Sequence, residues 1–155
     1  MMNLDELSSV AGVPRSTIDG WRANGCKVLP ASLADGPAPQ RRFLARHALY
    51  VAAFAYVARM ADYRDAMVML DALRAGFSHA QHGADDIALS VARSPHGGWD
   101  YYAGSGEYLA GFLRTFGPGR SVTLWLNELF QDCRTRARLA GLEFPDALEV
   151  IANES

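Results

Sequence analysis

The sequence predicts a mainly α-helical chain with small β elements. It is read as an N-terminal helix pair with a following hairpin, a helical connector, and a small α+β segment at the C-terminal side. Three observations carry this. Apolar residues recur at three- and four-residue spacing near the N-terminus and again before Gly76. The stretch from residue 47 to 60 is apolar almost all round, as in a helix central to a core or an interface. Beyond residue 86, short alternating runs are interleaved with helical ones.

The elements follow in order. Leu4, Leu7 and Val10–Ala11 define a first helix, with Asn3 as N-cap, Glu6 completing a capping box, and Gly12 ending it. Pro14 suits the first turn of a second helix, because its missing N–H costs nothing there. That helix buries Ile18 and Trp21, runs to about Asn24 and stops at Gly25. Lys27-Val28-Leu29 and Gln40 to Leu44, around a Pro/Ala/Gly-rich loop, read as a β-hairpin weakened by Pro30.

After the apolar helix, Asp62 with Asp65 caps a helix built on Met67, Leu70 and Leu73 and closing at Gly76. A linker holding His79, His82, Asp85 and Asp86 follows. Ile87, Leu89 and Val91 then form a strand, Ser94 to Gly98 a turn, and Trp99 to Tyr102 its partner strand. Ser105 caps a helix stopped at Gly117-Pro118. Val122, Leu124 and Leu126 make a third strand, and Asn127 starts a last helix ending before Gly141. The expected units are 1–46, 47–76 as connector and dimer interface, and 77–155 as a dimerisation, sensor or partner-binding unit.

Composition narrows the function. At 155 residues, half apolar and with a net charge of −2, the chain has material for a core, and it lacks the strong basicity of a general nucleic-acid coat. Its longest apolar run, Ala48 to Ala58, is eleven residues, whereas a bilayer span needs about 20. Met1 to Glu6 lacks the basic start and apolar stretch of a secretory signal. A cytoplasmic protein without membrane partners is therefore expected. Charge is uneven: residues 1–46 carry Arg15, Arg22, Lys27, Arg41, Arg42 and Arg46 against Asp5, Glu6, Asp19 and Asp35. The remainder is acidic, a division that fits a small DNA-reading unit joined to a partner or sensor unit.

Leu4 to Gly25 has the layout of a helix-turn-helix, in which the first helix braces a second whose outer face enters the major groove. Arg15, Ser16, Thr17, Asp19 and Arg22 lie on that outer face. The segment from Leu4-Asp5-Glu6-Leu7 through Val13-Pro14-Arg15-Ser16-Thr17-Ile18 to Trp21-Arg22-Ala23-Asn24-Gly25 resembles the winged helix-turn-helix of the MerR-type superfamily. Phage excisionases and the small subunits of phage terminases share that module. Arg41-Arg42-Phe43, leading straight into a helix, resembles the end of that family's wing, and the likeness spans roughly residues 3–60. Trp21 stands where MerR regulators carry a tyrosine pair, and the long dimerisation helix of those regulators is missing.

The resemblance implies a sequence-specific, double-stranded DNA-binding transcriptional regulator acting as a dimer. Arg15, Ser16, Thr17 and Arg22 would contact DNA from the recognition helix, and Lys27, Arg41 and Arg42 would hold phosphate from the wing. The alternatives are a phage-type packaging or recombination accessory protein of the terminase-small-subunit or excisionase kind, or a protein-interaction adaptor built on a reused helix pair. A protein partner or small effector is assigned to the C-terminal part, where Trp99, Tyr101 and Tyr102 read more simply as core aromatics. His79, His82, Asp85 and Asp86 read as solvated linker, so neither metal nor cofactor is expected. Nucleophile-elbow, P-loop and HExxH motifs are missing, and Cys26 and Cys133 have no base beside them in sequence. The expectation is a non-enzyme.

Overall fold

A computed structural model describes residues 1–29, 42–115 and 120–154. In it the chain is mainly helical with one small three-stranded antiparallel sheet. Helices α1 (Leu4–Ala11) and α2 (Arg15–Ala23) precede α3 (Ala45–Met60) and α4 (Tyr63–Ala80). Strands β1 (Ile87–Arg93) and β2 (Trp99–Ser105) follow, then a 3-10 turn at Gly106–Tyr108 and the short α5 (Leu109–Thr115). The chain continues through β3 (Arg120–Trp125), α6 (Leu126–Leu139) and α7 (Leu148–Ala152). One hydrophobic core extends from Met2 to Ala152, and the 3-10 turn and α5 lie outside it.

The N-terminal helices start and stop for local reasons. Asn3 accepts from the Glu6 amide at 2.9 Å, and the Glu6 carboxylate accepts from the Asn3 amide at 2.8 Å. Gly12 then leaves the helix at φ 70°, a left-handed geometry that disfavours any side chain. Pro14 stands one place earlier than expected, as the N-cap of α2. The expected strand at Lys27–Leu29 does not form. Phe43 instead exchanges backbone hydrogen bonds with Met2 at 2.7 and 2.8 Å, while the Val28 amide turns back onto the Cys26 carbonyl at 3.0 Å. The hairpin partners expected around Ala31 to Pro39, and Gln40 and Arg41, lie outside the described residues.

Helix α3 is the centre of the molecule. From Ala45 to Val57 it is buried on nearly every side, its alanines letting neighbours approach and Leu49, Val51 and Phe54 filling the space between. Helices α1, α4, α6 and α7 all pack against it. Its first turn is closed by His47, whose Nδ1 accepts from the Leu44 amide at 2.9 Å in the place a capping Glu or Gln takes. Burial, with Arg46 alongside, lowers the His47 pKa to about 4.

Helix α4 starts at the expected Asp62–Asp65 capping box but runs past Gly76 to Ala80. The glycine is there for packing, not termination. A Cβ at residue 76 would lie 2.8 Å from Leu89 Cδ2 and 3.2 Å from Leu126 Cδ2, so its absence lets the sheet seat directly on the helix. The sheet order is β2-β1-β3, which buries both faces of the central strand. Ile87 and Leu89 meet α4; on the other face Ser90 shares a 2.9 Å hydrogen bond with Thr123. Phe112 of α5 packs on Tyr102 of β2 with ring centroids 5.6 Å apart. The third strand ends one residue short of expectation, so Leu126 opens α6 with no intervening loop. The expected helix stop at Gly117-Pro118 lies outside the described residues.

Two polar clasps tie the ends together. Buried Asp65 accepts from the Trp99 indole at 2.6 Å, and Arg93 pairs with Asp62 while its guanidinium lies 4.7 Å over the Trp99 ring. The backbone amide of Asp65 and the neighbouring Arg93 hold the Asp62 pKa at about 2. At the other end, Arg46 donates to the carbonyls of Ile151 at 3.2 Å, Ala152 at 3.4 Å and Glu154 at 2.5 Å, capping the open end of α7. Gln81 adds a 2.8 Å bond to the Ala152 carbonyl.

The His47 geometry sets an acid dependence. Its folded pKa is depressed, so the stabilisation is complete above the ordinary value of 6.5 and is lost as pH falls toward about 4. About 2 kcal/mol should disappear across that window, taking the shift as partly screened by solvent. Denaturation curves from pH 7 to 4 should show this loss in the wild type and a flatter profile in His47→Gln, which keeps a cap acceptor but does not titrate. Equal slopes in the two proteins would remove His47 as its source.

Candidate nucleic-acid interface

The outer face of α2 follows from which of its residues the core takes. Ile18 and Trp21 turn inward, and Trp21 meets Phe54 of α3 edge-on with ring centroids 4.6 Å apart. The helical period then leaves Arg15, Asp19 and Arg22 in one outward row, with Ser16 beside it. Arg15, Ser16, Thr17 and Arg22 are all exposed, the first three in the opening turn. No side chain caps this opening turn and it contains no acidic residue; Pro14 contributes only its carbonyl, to the amides of Thr17 and Ile18. The head of α2 thus carries the positive end of the helix dipole beside the exposed Arg15 and Ser16.

Lys27 and Arg42 are exposed as well, in two separate segments. Those segments converge beside α2: Cys26, Val28, Leu29 and Phe43 share a small apolar crevice of about 40 Å³ with Ile18, Trp21 and Arg22. The chain at Lys27 and Arg42, through their neighbours Cys26, Val28 and Phe43, thus runs close to the C-terminal half of the helix whose N-terminal half carries Arg15 and Ser16. Arg41 lies outside the described residues.

Two features of this surface were not read from the sequence. Arg15 is ion-paired, at 2.9 Å with Asp5 of α1 and at 3.9 Å with Asp19. The Asp19 pair has ordinary one-turn helical spacing; the Asp5 pair needs the folded turn between the helices. Arg46, counted among the N-terminal cations, is committed to α7 and faces away from this role. The basic character of the first 46 residues is therefore narrower in space than in sequence.

Elsewhere the chemistry is sparse. Among the described residues no group of three or more His, Cys, Asp or Glu side chains is placed to hold a metal ion. Cys133 is buried, which raises its thiol pKa to about 12 and makes it a poor nucleophile. No helix among the described residues is long and apolar enough to cross a membrane. Of the hairpin aromatics, Trp99 is taken by Asp65, and the Tyr102 hydroxyl donates to the Ser105 carbonyl at 2.5 Å. No protein-family model matches the chain, and no curated protein sequence matches it either.

The Arg15 pair is solvent-exposed on both sides, with 46% and 74% of the two side chains accessible. Such pairs stabilise by less than about 1 kcal/mol. Arg15→Ala should accordingly leave the unfolding free energy within about 1 kcal/mol of wild type by denaturant titration. A larger loss would show that Arg15 is there to hold α1 and α2 together.

Proposed function

We propose that this chain is a sequence-specific double-stranded DNA-binding protein of the transcriptional-regulator type, a winged helix-turn-helix that works as a dimer. In this reading α2 enters the major groove, α1 braces it from behind, and Lys27, Arg41 and Arg42 hold the flanking phosphates. The observation that carries it is the outer face of α2. Exposed Arg15, Ser16, Thr17 and Arg22 share one short helix with an uncapped N-terminus, and exposed Lys27 and Arg42 stand beside that helix.

The division of labour is physical. An arginine reads guanine through a planar fork of two donors, whereas lysine and backbone N–H groups serve phosphate without regard to sequence. Asp5 sharpens the face by competing with phosphate for Arg15, which penalises loose, non-specific binding. Dimerisation supplies the second half-site, and Tyr56, Met60 and Tyr63 remain exposed around the α3–α4 corner as apolar material for a subunit contact. The C-terminal sheet unit, packed on α4, serves in this scheme to receive a protein partner or small effector.

The test uses a duplex selected by the protein itself. Arg15→Ala and Arg22→Ala should each weaken its binding by about 1–3 kcal/mol, while Lys27→Ala should weaken selected and random duplexes alike and reduce the salt dependence by about one counterion. Asp5→Asn should tighten random-duplex binding by up to about fivefold, the energy of one exposed ion pair. Unchanged affinity in both arginine variants overturns the reading face. A complex whose mass is that of a ring, instead of two chains on one duplex, would favour a packaging role over regulation.

A further inference from the structure

The turn before α2 is gripped from the opposite end of the chain. Ala11 is the last residue of α1, and its carbonyl faces the point where the chain leaves the helix at Gly12. Arg136 of α6 donates to that carbonyl from Nη1 at 3.4 Å. Its guanidinium occupies the space a side chain at residue 12 would fill: a Cβ there would lie 2.6 Å from Arg136 Nε and 2.8 Å from Cζ. Gly12 is therefore required twice, by its φ of 70° and by the arginine lying over it. On the turn's other side the Ser8 hydroxyl donates to the Val13 carbonyl at 2.6 Å, and the Gly12 and Val13 amides both donate to the Ser8 carbonyl.

We infer that Arg136 is a positioning residue for α2, fixing the angle at which that helix stands on the body of the protein. Helix α2 is attached along its inner face, where Ile18 is buried and Trp21 packs on Phe54, and at its N-terminal end, where the chain enters through the clamped turn and the exposed Arg15–Asp5 pair adds a weak tie. Without the clamp, a helix held by Ile18 and Trp21 tilts about them, and the swing is largest at the end that carries Arg15, Ser16 and Thr17. The clamp itself comes from a rigid element. Helix α6 starts directly at the end of β3, and it is anchored in the core by Leu126, Phe130, Cys133 and Ala137, the last of these adjacent to Arg136. The sheet unit is thus tied to the turn that leads into α2. What the positioning serves rests on the DNA-reading proposal; the positioning itself does not.

The experiment is done on the full chain with Arg136→Gln and Arg136→Lys. Amide hydrogen exchange in residues 14–24 is the first readout. Arg136→Gln should speed exchange there by about tenfold while α3 and α4 stay at wild-type protection, since a local opening leaves the global unfolding free energy in place. Arg136→Lys, which keeps the charge but loses the planar fork, should restore only part of that protection. The second readout is duplex binding against salt: the ratio of selected to random affinity should fall by about tenfold in Arg136→Gln with an unchanged salt slope. Wild-type exchange in α2 of the Gln variant overturns the positioning role. So does a flattened salt slope, which would make Arg136 a direct phosphate ligand. If the wild-type protein retains no duplex at all, the DNA reading fails and the exchange comparison still decides the role of Arg136.

Discussion

The burial of α3 on nearly every side is the constraint from which the rest of the arrangement follows. A sixteen-residue helix that hides Leu49, Val51, Phe54 and Val57 needs neighbours all round it. Helices α1, α4, α6 and α7 supply them, together with Trp21 of α2. Because α3 is enclosed along nearly its whole length up to Val57, its entry must be accurate. The Met2–Phe43 backbone bridge and the His47 cap bring the chain into the first turn at a set angle. The same bridge holds the start of the chain beside α2, so core packing and the position of the outer face of α2 are one problem. Trp21 on Phe54 is where the two meet.

The charged groups then divide by burial. Arg46, Arg93 and Arg136 turn donors inside the molecule, to helix-end carbonyls and to Asp62 and buried Asp65. Each closes a contact between segments distant in sequence. Arg15, Arg22, Lys27 and Arg42 have exposed side chains, Arg15 pairing at the surface with Asp5 and Asp19. Counting charges along the chain cannot separate these groups, because an arginine's role depends on which carbonyls and carboxylates the fold brings within its reach.

Legibility in the sequence follows the same division between local and distant. The Asn3–Glu6 and Asp62–Asp65 caps, the left-handed Gly12 and the burial of Ile18 and Trp21 are all decided within one or two helical turns, and all were readable. The three antiparallel strands announce themselves by alternation and by the Ser94–Gly98 turn. Gly76 misled because glycine signals both helix ends and close packing, and only the position of Leu89 selects the second. Lys27–Leu29 carries no strand, and Phe43 pairs instead with Met2, forty-one residues away and carrying no strand signal of its own. The Arg15–Asp5 pair, the Arg46 clasp and the Arg136 grip on the turn each join residues that no local pattern connects. On the candidate surface, the exposed positions of α2 were predictable from helical period; the competition for Arg15 was not.

The most direct measurement is to incubate the purified chain with sheared genomic DNA of its source at moderate salt and to sequence what it retains. Retention of a small set of fragments sharing one short motif, repeated about one helical turn apart, is the result this account predicts. Uniform retention of all fragments, or none even when salt is lowered to strengthen phosphate contacts, would contradict it and make the α2 face a surface for something other than DNA sequence.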